Sequence, residues 1–122
     1  MGEILRKSLE SPDETRTFDK GQVDVVTVGD AVFGRAVFQP GWRWSECVKP
    51  IAKTDSCQFH HRTFVQSGRL HVVLEDGTEA DAGPGDVVVI PPGHDAWVVG
   101  DEPCVSFDFD AGVQDYAKAP GS

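Results

Sequence analysis

Gly85-Asp86-Val87-Val88-Val89-Ile90-Pro91-Pro92-Gly93-His94 packs a glycine turn, a strand and a proline-glycine turn into one short run. The β-branched residues Val87 to Ile90 suit a strand covered on both faces, because a helix would restrict every one of their χ1 angles. Gly85 can take the positive φ of a tight turn before Asp86. Pro91 and Pro92 end the ladder, since neither has an N–H to donate, and Gly93 lets the chain reverse.

The same grammar extends in both directions. Val23, Val25 and Thr27 alternate with Asp24, Val26 and Val28, and Gly29-Asp30 reads as a hairpin turn into a strand over 32–38. The extended pattern continues over 42–48. Further strands are expected over 59–65, 70–74, 78–82, 87–90, 96–99 and 105–109, giving about nine short strands and no amphipathic helix. Ser67-Gly68, Glu75-Asp76-Gly77, Ala82-Gly83-Pro84-Gly85 and Gly100-Asp101-Glu102-Pro103 are explicit turns at the close spacing of an all-β barrel or sandwich. Residues 1–17, with the turn signal Ser11-Pro12-Asp13, read as an irregular arm with a short helical piece. A barrel over 18–110 and a tail over 111–122 follow, with one helical turn expected over 114–118.

Composition narrows the function classes. A chain of 122 residues, 39% hydrophobic with three tryptophans, is one domain with enough apolar material to close a core. A net charge of -9 argues against nucleic acid, whose phosphates would be repelled. No window approaches a membrane span, and the N-terminal residues hold no apolar run of signal-peptide length. Three cysteines, Cys47, Cys57 and Cys104, cannot all pair and are too few for a disulfide scaffold, which suits a reducing cytoplasm. Nucleophile-elbow, phosphate-loop and dinucleotide motifs are missing.

The glycine and proline skeleton resembles that of the cupin superfamily. That family's second motif runs glycine, five residues, Pro-x-Gly, two residues and histidine. Gly85, Pro91 and Gly93 stand in register, with Ala96 at the histidine position and His94 two positions earlier. The first motif runs glycine, five residues, His-x-His, a short gap, glutamate, six residues and glycine. Starting from Gly41, the histidine positions fall on Cys47 and Lys49, and residues from Pro50 to about Cys57 form an inserted loop. Counting back from Gly68 puts His61 at the glutamate, and a second registration then puts Asp55 and Cys57 at the histidines. The first registration is preferred because loops absorb insertions cheaply. The resemblance implies a single-domain, RmlC-like cupin: an all-β double-stranded β-helix, or jelly-roll barrel, holding a small molecule in its interior. It also implies one divalent metal ion (Zn, Fe, Mn or Ni) with metal-dependent activity, and a homodimer. Because all four metal positions are altered, a metal-free, non-catalytic binding or sensing module is the alternative.

Cys47 and His61 are the leading ligand pair, since a thiolate and an imidazole suit Zn²⁺ or another borderline metal. A third ligand is sought among His94, His60, Cys57 and Glu46. His60 and His61 are adjacent, so on a strand they face opposite ways, and the count from Gly68 turns His61 inward. His94 can equally be a solvated turn histidine, and Cys47 a small buried hydrophobe. Trp42 and Trp44 with Phe59 would form an apolar pocket wall if they face inward. His71 is expected to face outward without a site role, and the acidic residues over 75–81 read as a solvated hairpin edge.

Overall fold

A computed structural model describes residues 2–109. Within them the elements run β1 (Glu14–Phe18), β2 (Gly21–Val28), β3 (Ala31–Phe38), α1 (Trp44–Cys47), α2 (Lys49–Ala52), β4 (His61–Ser67), β5 (Leu70–Leu74), β6 (Glu79–Ala82), β7 (Val87–Ile90), β8 (His94–Val98) and β9 (Cys104–Asp108). They form a six-stranded sheet in the order β1-β2-β3-β9-β4-β7 and a three-stranded sheet in the order β6-β5-β8. All neighbours pair antiparallel. Strand period two sends Val23 and Val25, Val65, Leu70 and Val72, Ile90, Ala96 and Val98 into the space between the sheets, where they form one core. Fully burying a valine such as Val65 contributes about 1.5–3 kcal/mol.

Three expectations differ from what the fold shows. Residues 14–18 are not an irregular arm but the edge strand β1, paired with β2 from Glu14↔Val25 to Phe18↔Gly21. The extended pattern over 42–48 gives way to α1 and α2. The reason lies some fifty residues away: the Asp95 carboxylate on β8 accepts from the Ser45 N–H at 3.0 Å and from Arg43 Nε at 3.2 Å, satisfying a donor at the start of α1. Pro50 sits in the first turn of α2, where its missing N–H costs nothing. Finally, β7 is the edge of the larger sheet and not covered on both faces. Val87 and Val89 are 69% and 64% exposed, while Val88 packs against the core and Ile90 is buried in it.

The segment before β1 lies against the outer face of the larger sheet. Leu5, Lys7 and Leu9 share a shallow groove there with Val26, Phe33, Phe107 and Phe109. Beneath it Asp24, only 4% exposed, meets its cross-strand partner Arg35 at 3.2 Å and Thr15 Oγ1 at 2.8 Å. Arg35 also holds Glu10 at 2.6 Å and the Leu9 carbonyl at 3.2 Å, so a buried carboxylate is matched as its desolvation demands. The turn of helix expected over 114–118 lies outside the described residues. Among the described residues no helix is long and apolar enough to cross a membrane.

Gly68 joins β4 to β5 at φ 76°, and a Cβ there would stand 2.3 Å from the Pro103 carbonyl oxygen. Gly68→Ala adds a backbone clash to left-handed strain and should cost about 2–5 kcal/mol. Gly77→Ala meets no atom within 4 Å at φ 91° and should cost only about 1–2 kcal/mol. Denaturant melts of both variants check the difference; equal losses would contradict the close packing of Gly68 against residues 103–104.

Candidate metal centre and ligand cavity

Cys57, His61 and His94 come together at one end of the barrel interior, with one donor atom of each within 4.8 Å of the others. His61 is the first residue of β4 and His94 the first of β8. Cys57 lies in the inserted loop, which is stitched to the β7–β8 turn by backbone bonds: Cys57 N–H to the His94 carbonyl at 2.8 Å and Gly93 N–H to the Cys57 carbonyl at 2.7 Å. Ser56 anchors the same loop by donating its hydroxyl to Glu75. All three cluster residues are buried.

The hydrogen bonds fix how each imidazole presents itself. His61 Nδ1–H donates to the Asp108 carboxylate, which can only accept, and His94 Nδ1–H donates to the Pro91 carbonyl at 2.7 Å. Both Nε2 atoms are thereby left as the coordinating edge, and His61 Nε2 lies 3.6 Å from Cys57 Sγ. Tetrahedral Zn–S and Zn–N bonds of about 2.3 and 2.05 Å would separate the two donors by about 3.6 Å. A carboxylate or carbonyl behind each imidazole is also the outer-shell arrangement that orients metal-bound histidines. The donor set fits a borderline divalent ion.

Burial alone would raise the Cys57 thiol, but hydrogen bonds and charge from His61 and His94 override it and bring the pKa down to about 6. Burial alone would lower His61, yet its bonds to Asp108 and then Cys57 raise it to about 9. The two groups stabilise each other as thiolate and imidazolium.

Beside the cluster is a cavity of about 50 Å³. Its walls are the inward phases of both sheets: Trp42, Trp44, Phe38 and Ile90 on the apolar side, Thr63 and Ser106 as hydroxyls. Gly34, Ala36 and Ala96 leave the space because they carry little or no side chain.

The structure assembles the expected site residues only in part. His61 and His94 are in the cluster, and His94, at 3% exposure, is not the solvated turn residue it could have been. Cys47 lies elsewhere, buried on α1 with its thiol 3.7 Å from Asp19 and its pKa raised by burial. Because α1 replaces the expected strand, Cys47 packs into the core, and Cys57, from the second registration, stands beside His61. Trp42 and Trp44 line the cavity; Phe59 packs against the core but not on the cavity wall. Asp108 was not anticipated. In the run 104–108 the polar Ser106 and Asp108 share the buried phase with Cys104 while Val105 and Phe107 are half-buried, inverting the usual apolar-in reading. His71, set aside as an outward residue, bridges Asp81 at 2.6 Å and Glu79 at 2.8 Å on the outer face of the small sheet, so that acidic edge is partly paired.

No protein-family model matches this sequence, and no curated protein does. Solved structures do. A protein of unknown function from Rhizobium leguminosarum bv. viciae matches at TM-score 0.56 with 22% identity, covering 74% of this chain and 80% of its own. Lactobacillus farciminis oxalate decarboxylase, solved as a formate complex, matches at 0.56 with 18% identity over 78% of this chain and 30% of its own. The polyketide cyclase RemF of Streptomyces resistomycificus matches at 0.53 with 19% identity over 75% and 64%. The fold is cupin-like. At these identities the likeness speaks for the architecture and leaves the chemistry to the site.

The proton balance is open to direct test in metal-free protein. The raised His61 contributes stability in full below about pH 6.5 and loses it as pH rises through about 9. The lowered Cys57 contributes above about pH 8.5 and loses it as pH falls through about 6, so the two offset one another across that window. Asp108→Asn should shift the His61 titration, followed by NMR of its ring, toward the ordinary histidine value and cost about 1.5–3 kcal/mol. An unmoved His61 titration would contradict the Asp108 pairing.

Proposed function

We propose that this protein binds a small molecule in its barrel interior at a divalent metal held by Cys57, His61 and His94. The observation that carries this reading is the orientation of both imidazoles, each fixed through Nδ1 so that Nε2 faces the Cys57 thiol. Three protein ligands in such a set leave a further position for water or ligand, and a bound ion there would supply Lewis-acid polarisation of a ligand oxygen. Asp108 keeps His61 in the coordinating tautomer, and the apolar walls exclude bulk water. The cupin-like structural neighbours include an oxalate decarboxylase and a polyketide cyclase, which lends weight to small-molecule chemistry without choosing a reaction.

A metal-free binding module is the second reading, favoured by one observation: His61 Nε2 already meets Cys57 Sγ at 3.6 Å, so the two can pair without an ion. We carry the homodimer as part of the proposal, supported by β7 ending the larger sheet among the described residues, with Val87 and Val89 exposed.

Elemental analysis of protein purified without chelator or histidine tag decides between the two. About one metal per chain is expected in the parent and in Cys47→Ser, with loss of more than tenfold in affinity in Cys57→Ser, His61→Ala and His94→Ala. A folded, metal-free parent would overturn the metal reading and leave the ion-pair module. Sedimentation across a range of concentrations tests the dimer, and a monomer throughout would remove it.

A further inference from the structure

We infer that the cavity selects a compact ligand that is neutral or singly anionic, with an apolar body and one oxygen-bearing head group. The inference builds on the site proposed above and rests on three properties of its walls. The first is size. Roughly four water positions fit in about 50 Å³, so a short aliphatic acid or amide fits and a sugar ring does not.

The second is charge. No lysine or arginine is among the described residues lining the cavity, and the charged groups at its end are Cys57, His61 and Asp108. A divalent ion on the cluster is already balanced by the Cys57 thiolate and the Asp108 carboxylate. A monoanion adds one charge that the ion itself can ligate, whereas a dianion leaves a buried negative charge with no cation near it, at several kcal/mol of desolvation. Phosphate esters and dicarboxylates are therefore disfavoured by the walls themselves.

The third is hydrogen bonding. Ser106 is 4% exposed and on the cavity wall, and its hydroxyl has no hydrogen-bond partner among the described residues. Polar groups in an interior are almost always satisfied, so this hydroxyl on the cavity wall points to an oxygen supplied from outside the chain. The remaining walls are rings and aliphatic groups, which suit an apolar body and leave the hydroxyls of a polyol unmatched.

The experiment titrates Co²⁺-loaded protein with propionate, propionamide and inorganic phosphate, three probes of similar size that differ in charge and apolar surface. The visible Co²⁺ spectrum reports entry to the metal's open position, and tryptophan fluorescence reports cavity filling. Propionate and propionamide should bind at least tenfold more tightly than phosphate. Ser106→Ala should weaken both by about threefold to tenfold with metal content unchanged. Phosphate binding as tightly as propionate, no binding of either organic probe, or full retention of affinity in Ser106→Ala would each overturn the inference. Failure to load Co²⁺ is the separate failure of the metal reading. Fluorescence titration of the metal-free protein then still decides: the apolar walls should favour propionamide over phosphate, and the reverse order would overturn the inference.

Discussion

The structure turns on the hydrogen bond between Asp108 and His61, which spans the two strands β9 and β4 at the heart of the larger sheet. A carboxylate 8% exposed must be matched or neutralised, and the imidazole does this while being held in one tautomer. Thr63 Oγ1 at 3.5 Å and the Arg62 N–H at 3.4 Å also face the carboxylate. From that bond follow the raised proton affinity of His61, the lowered one of Cys57 beside it, and the direction in which the cluster presents its donors. The apolar packing on either side would be compatible with a solid core, and the buried acid is what makes this end of the barrel chemical.

Much of the fold was legible from turn chemistry and period two. The strands 70–74 and 87–90 fall where the alternation and the flanking glycines and prolines put them, and most others shift by a residue or two at an end. What was not legible depends on partners distant in sequence. The residues of α1 look extended on their own, and only Asp95, brought over on β8, satisfies its first turn. The run of β-branched residues in β7 reads as doubly buried, yet its place at the sheet edge exposes every second side chain, because topology and not composition decides what covers a strand.

The site was legible in the same uneven way. His61 follows from counting along a strand. His94 looked misplaced by two residues from Ala96, but two residues is one full period of a strand, so both point into the same cavity and the histidine has moved along the wall without leaving it. Cys57 could not be preferred to Cys47 by spacing alone, because the backbone bonds that pin it to His94 belong to the tertiary fold. Asp108 was hidden by the inverted phase of β9, where the half-buried outer positions carry Val105 and Phe107, the latter beneath the segment that precedes β1, and the polar residues are left to face inward.

On the proposed metal reading, a proton and a divalent ion would compete for the same edge of His61. With the proton present, the imidazolium stands between the Cys57 thiolate and the Asp108 carboxylate. A divalent ion would have to displace that proton, and would gain in return the Cys57 thiolate and the Nε2 of a second imidazole. Asp108 serves both states, as counter-charge to the imidazolium and as the outer-shell acceptor behind a metal-bound imidazole. Its burial is therefore tolerated whether or not an ion is bound, which is the condition a barrel needs if it is to fold before it is loaded.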